Sequence, residues 1–318
     1  MSKFLKSFLH EGQGLFSRKT KAQAYLGAFG KHPGWDDHID DIGLETESLL
    51  LAKQILYVDG IGGQINSGDW EKLGEQQRLA EFKHIFAWKR GNAFLLGKIW
   101  SSRDGKNRTQ YPMIVCAHFQ GIFFESAVAK VLQTLDSVEY LCKSTSSAEE
   151  VRNIIQRTRE ELRQSFVGVD NPPYDTKSDL PAFLERLGIG RNQEGLYRIV
   201  YYFQNQLACY LAGLKQSGGG PLRPGQIRLP AVPESAADTL IFWSRLLESQ
   251  FDKEVPILLT LPLQEAWVDA TFGEPGPREC YSLRATPEVL SLTNEIPYKI
   301  DEEFRTAHQG LIQAMLVQ

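Results

Sequence analysis

Little in this chain points to catalysis by a recognised motif. Its four cysteines, Cys116, Cys142, Cys209 and Cys280, stand far apart and form no C-x-x-C pair. Three of them sit in apolar company, which fits buried thiols in a reducing compartment. No G-x-S-x-G elbow and no G-x-G-x-x-G fingerprint occurs, and the Ser217–Gly220 run does not continue into a phosphate-binding G-K-[ST] pattern. Apolar runs fall short of the ~20 residues that span a bilayer, so no stable membrane insertion is expected. The net charge is −4, which offers no basic field for nucleic acid.

What the chain does have is bulk. With 318 residues, 42% of them hydrophobic, it can bury one large core or two modest ones. Residues 23–30, 84–89, 93–100 and 109–119 read as strands. Arg90–Asn92 and the Asp104-Gly105 pair make the turns between the last three, giving an antiparallel meander. Residues 44–61 carry a helical pattern closed by Gly60, Gly62 and Gly63. Two amphipathic helices follow the meander, the second opened by Ser147 with Glu150 as a capping box. A stretch rich in turn formers, residues 167–183, marks a boundary. The expected organisation is an N-terminal extension over 1–22, an α+β domain over 23–168 and a smaller α/β accessory domain over 169–318. In the last, Leu196–Leu214 is expected as a buried helix packed on a strand at Val255–Leu261, and residues 263–273 as a short helix.

The densest polar stretch is Gly27–Asp41, GAFGKHPGWDDHIDD. His32, Asp36, Asp37 and His38 could hold a transition ion, and a metal-dependent hydrolase centred on them is the alternative function. Against it, the four remaining histidines are scattered, and a Pro33-Gly34 turn with Asp36 or Asp37 capping the following backbone accounts for the same residues. Cys116 and His118 share one strand face, as any buried pair two apart would. Arg103, Lys106 and Arg108 make the Ser101–Arg108 turn basic, and Trp35 is an aromatic placed beside a tight turn.

Two segments together resemble the TagF (ImpM) family of type VI secretion-associated proteins. Gly30-Lys31-His32-Pro33 is similar to the family's Gly-Lys-x-Pro after its first strand, and Asn107-Arg108-Thr109-Gln110-Tyr111-Pro112-Met113 to its Gly-Arg-x-Tyr/Phe-Pro-Leu. Gly34-Trp35-Asp36-Asp37-His38 departs from the family's Ser-Arg-Gly-Asp-Phe and keeps only an acidic position. The resemblance implies a longin- or profilin-like antiparallel sheet flanked by helices. It also implies a non-enzymatic cytoplasmic regulator without cofactor, acting after translation by contact with a protein partner such as a forkhead-associated scaffold. In such a sheet the first strand lies beside the last, so the loop Lys31–His38 should meet the turn Ser101–Thr109 and Tyr111. The expected partner-binding residues are Lys31, Trp35, Asp36, Asp37, Arg103, Arg108 and Tyr111.

Overall fold

A computed structural model describes residues 22–166, 180–189, 193–207, 223–251 and 255–317, together with Tyr210 and Gly213. The expected N-terminal extension, apart from Ala22, and most of the expected boundary stretch lie outside the described residues.

The protein is α+β, built on one open antiparallel sheet of seven strands. These are β1 Gln23–Gly30, β2 Lys83–Arg90, β3 Ala93–Trp100, β4 Met113–Gln120, β5 Gly225–Pro230, β6 Ile257–Pro262 and β7 Trp267–Phe272. Their order is β1-β4-β3-β2-β6-β7-β5. The meander β2-β3-β4 forms as the turns dictate, and β1 adds antiparallel to β4 with Gly30 opposite Met113. Beyond it, β6 adds to β2, Ile85 lying opposite Leu261 and Trp88 opposite Leu258. Strands from either side of residue 168 therefore share one hydrogen-bonded sheet.

Alternation along each strand feeds two cores. Ile85 and Ala87 face helices α3 (Phe124–Lys143), α4 (Ala148–Ser165), α6 (Gln193–Tyr201) and α7 (Ala236–Gln250). Phe86 and Trp88 face the opposite core, closed by α1 (Glu47–Ala52), the π-helical segment Lys53–Ile61 and a 3-10 turn at Glu279–Leu283. α2 (Gly62–Ser67) continues the π segment, α5 spans Leu180–Arg186, and α8 (Glu302–Val317) closes the described chain. Ser147 caps α4 by accepting from the Glu150 N–H at 3.3 Å, but the Glu150 carboxylate accepts from the Thr145 hydroxyl instead of returning to Ser147.

Two expectations change. Residues 267–272 form β7, not a helix, because a strand there is buried on both faces and its polar Asp269 and Thr271 find partners on β5. The helix at Leu196 is buried as expected, with Ile199, Phe203 and Leu207 each no more than 4% exposed. Its neighbour, however, is α8, while β6 is covered by α7. The rest of Leu196–Leu214 lies largely outside the described residues.

His84 on β2 is 1% exposed, and its Nδ1 accepts from the Lys83 N–H at 3.1 Å. Burial pushes its pKa down to about 3, and the nearby Arg284 and Arg228 charges push the same way. The folded protein thus keeps His84 neutral where the unfolded chain protonates near 6.5. Stability from this site is complete above pH 6.5 and is lost as pH falls from there toward 3, by at most about 1.4 kcal/mol per pH unit. Urea midpoints across this range should fall less steeply for His84→Phe than for the wild type; parallel slopes would show that His84 carries no such penalty.

Candidate functional site: the loop after the first strand

Gly30 turns the chain out of β1 at φ +114°, where a Cβ would come within 2.3 Å of the Pro112 carbonyl oxygen. Only glycine fits that conformation and that approach. The Lys31 N–H then donates to the Pro112 carbonyl at 3.1 Å, carrying the β1–β4 contact one residue past the strand end. Pro33-Gly34 makes the expected turn, closed by Trp35 N–H to the His32 carbonyl at 3.1 Å. The turn is wedged against the start of α4, since a Cβ on Gly34 would lie 2.6 Å from the Ala148 nitrogen.

His32 locks the turn to α3. Its Nδ1 accepts from the Gly34 N–H at 3.0 Å, so Nε2 carries the hydrogen and donates to the Cys142 carbonyl at 2.8 Å. Burial lowers its pKa, opposed by bonds to the Cys142 and Thr145 backbone, which keeps the ring neutral. Both ring nitrogens are thereby engaged, leaving no lone pair for a metal.

The centre of the site is Asp104, 1% exposed, at the turn between β3 and β4. Its Oδ1 accepts from the backbone N–H groups of Lys106 (2.9 Å) and Arg108 (3.0 Å), and its Oδ2 from Arg108 Nε (2.7 Å) and Lys31 Nζ (2.5 Å). Burial alone would raise the carboxyl pKa. The bonds from Lys31, from the Arg108 backbone and side chain, and from the Lys106 backbone outweigh it and hold Asp104 ionised, well below the usual carboxylate range. Such a converging set of donors would bind a phosphate if empty; here the protein's own carboxylate fills it.

The two segments are tied twice more. Gly105 N–H donates to the Trp35 carbonyl at 2.7 Å, and Arg108 reaches the Asp36 carbonyl and Asp37 Oδ1, each at 2.9 Å. Behind them lies an aromatic floor. His38 Nδ1 is 2.8 Å from the Tyr57 hydroxyl, and the Tyr111 ring lies 5.3 Å from His38 and 5.5 Å from Tyr57. Burial, followed by the neighbouring Tyr111 and Asp37, raises the Tyr57 pKa far above its ordinary value, so the phenol keeps its proton beside His38. Burial also lowers the His38 pKa, against the pull of Asp37, which favours the neutral imidazole.

The loop and turn thus meet where strand order requires. Lys31, Asp36, Asp37, Arg108 and Tyr111 come together, and Arg103 stands exposed on the same turn. Trp35 lies on the α4 side, half-buried, its indole N–H donating to Asp40 at 3.1 Å and its ring under Arg152 at 5.1 Å. The expected backbone cap falls elsewhere: Asp104, not Asp36 or Asp37, takes the backbone N–H groups, while Asp37 pairs with side chains. His32 and His38 point to different elements, and among the described residues no three His, Cys, Asp or Glu side chains converge as a metal set. Asp104, Tyr57 and the anchoring role of His32 were missed from sequence. Asp104 was visible there only as half of an Asp-Gly turn.

No protein-family model matches the chain, and no curated protein matches it.

Proposed function

We propose that the protein is a non-enzymatic, cytoplasmic regulatory module of the TagF (ImpM) kind, tied to type VI secretion. In this reading it acts through contact of the Lys31–His38 and Ser101–Tyr111 edge with a protein partner, a forkhead-associated scaffold being the partner that the resemblance implies. We read the β1-β4-β3-β2 unit with α3 and α4 as its longin- or profilin-like part, and the remaining strands as accessory. One observation carries the reading. The two family-like segments, about seventy residues apart, form one pre-organised surface whose buried charges are consumed in holding it together.

Pull-down from the native host tests it. Trp35→Ala and Arg108→Glu should each weaken partner capture about tenfold or more, as central interface residues do. Thermal unfolding of both variants, run alongside, separates loss of contact from loss of fold. Capture at wild-type strength by two folded variants would remove the partner site from this edge.

A further inference from the structure

The charges on this edge are not evenly balanced once internal pairs are counted. Asp37 is taken by Lys31 and Arg108, Asp104 by the same two cations, Asp40 by Arg152 and Asp41 by Lys53. Arg103 and Lys106, both exposed, form no ion pair among the described residues. On the same edge Asp36 is an exposed carboxylate outside these pairs, with only its backbone carbonyl held, by Arg108. A chain of net charge −4 therefore presents here two uncompensated cations against one carboxylate.

The cations are also presented rigidly. The Lys106 N–H is bound by Asp104, the Asn107 N–H bonds the Asp104 carbonyl at 2.9 Å, and the turn is fastened to the loop through Gly105. Binding to this tip costs little ordering of its backbone. Beside it lies an aromatic surface: His38 is 45% exposed at its side chain, and the half-buried Tyr111 ring lies 5.3 Å from it.

We propose that this edge, if it is the partner surface argued above, recognises an acidic segment of a partner protein. Arg103 and Lys106 would meet its carboxylates, and the His38–Tyr111 pair an aromatic or apolar side chain within it. The expected residues carry both signs, but the unpaired charge at the tip is mostly cationic because Asp37 and Asp104 are paired within the chain. Rim charges of this kind set encounter rate and partner choice more than tight affinity, and they respond to salt.

The test is titration of the isotope-labelled full chain with a Glu-rich peptide carrying one central Phe, and with its Lys-for-Glu counterpart. The Glu-rich peptide should shift amide resonances within 101–111 and 31–38. The shifts should vanish as salt rises from about 0.01 M to about 1 M, where the screening length drops from about 30 Å to about 3 Å. Arg103→Glu with Lys106→Glu, a change at two exposed side chains without ion-pair partners, should weaken binding about tenfold or more and leave the unfolding midpoint in place. Larger shifts at the same amides with the Lys-rich peptide would overturn the acidic partner while leaving the edge as a contact surface. Silence of this edge toward both peptides at about 1 mM also overturns the inference. The pull-down of Trp35→Ala and Arg108→Glu decides the edge itself independently.

Discussion

Replacing Asp269 by alanine is expected to lower folding stability by about 3–5 kcal/mol, because it strands a buried guanidinium. Arg228 on β5 lies directly opposite Asp269 on β7. Their contact is bidentate, Nε to Oδ1 and Nη2 to Oδ2, both at 2.8 Å, with the two residues 3% and 2% exposed. Burial raises the Asp269 pKa, and Arg228 with Ser282 opposes that shift, so the carboxylate depends on its partners to stay charged. The guanidinium is held further by the Ser282 and Leu290 carbonyls and lies 4.9 Å from the Trp267 ring. Removing both charges at once should cost far less than removing one: Arg228→Met with Asp269→Leu is expected to recover most of the loss. Chemical denaturation of the single and double variants gives the comparison. A single variant within about 1 kcal/mol of wild type would mean that water already reaches the pair.

Severing the chain at residue 168 should have a still more visible effect. Each piece, 23–168 or 169–318, would expose a strand that is interior to the sheet: β2 in the first and β6 in the second. β6 is buried at every position, and β2 offers His84–Trp88, also all buried, as its unpaired edge. Long apolar edges of this kind pair with copies of themselves. Each piece expressed alone is expected to aggregate, and the two expressed together to yield a soluble one-to-one complex by size-exclusion chromatography. A monomeric, cooperatively unfolding 23–168 fragment would show that the N-terminal half is a domain in its own right.

Strands and helices with one dominant period were legible from the sequence. The meander, β1, β6 and the helices α3 and α4 fall where apolar patterning, helical stripes and Asp-Gly or Arg-Gly-Asn turns place them. β7 was not legible, because Asp269 and Thr271 look like the wet side of a short helix until Arg228 and Gln226, over forty residues away, are brought across the ladder. The site shows the same division. That Lys31 meets the turn follows from strand order, but that Asp104 outranks Asp36 and Asp37 depends on which carboxylate lies inside. Burial of one acid among four nearby is a tertiary fact, and local sequence carries no trace of it.

The π-helical stretch between α1 and α2 has a consequence for chain length. From Lys53 to Ile61 the helix is widened, and the Gln54 amide accordingly bonds Asp59, five residues on, at 2.8 Å. Such a stretch holds one more residue than an α-helix of the same rise needs. Deleting one residue there would let the backbone relax to ordinary α geometry while the two flanks keep their phase. Leu49 and Ile61 at its two ends would keep facing the sheet, but the side chains between them would be re-phased, and the Tyr57 hydroxyl would leave His38. The tie between the inner core and the outer loop is thus set by a count of residues. A relative with every side chain of the loop intact, but one residue fewer in this helix, would have lost the anchor beneath it.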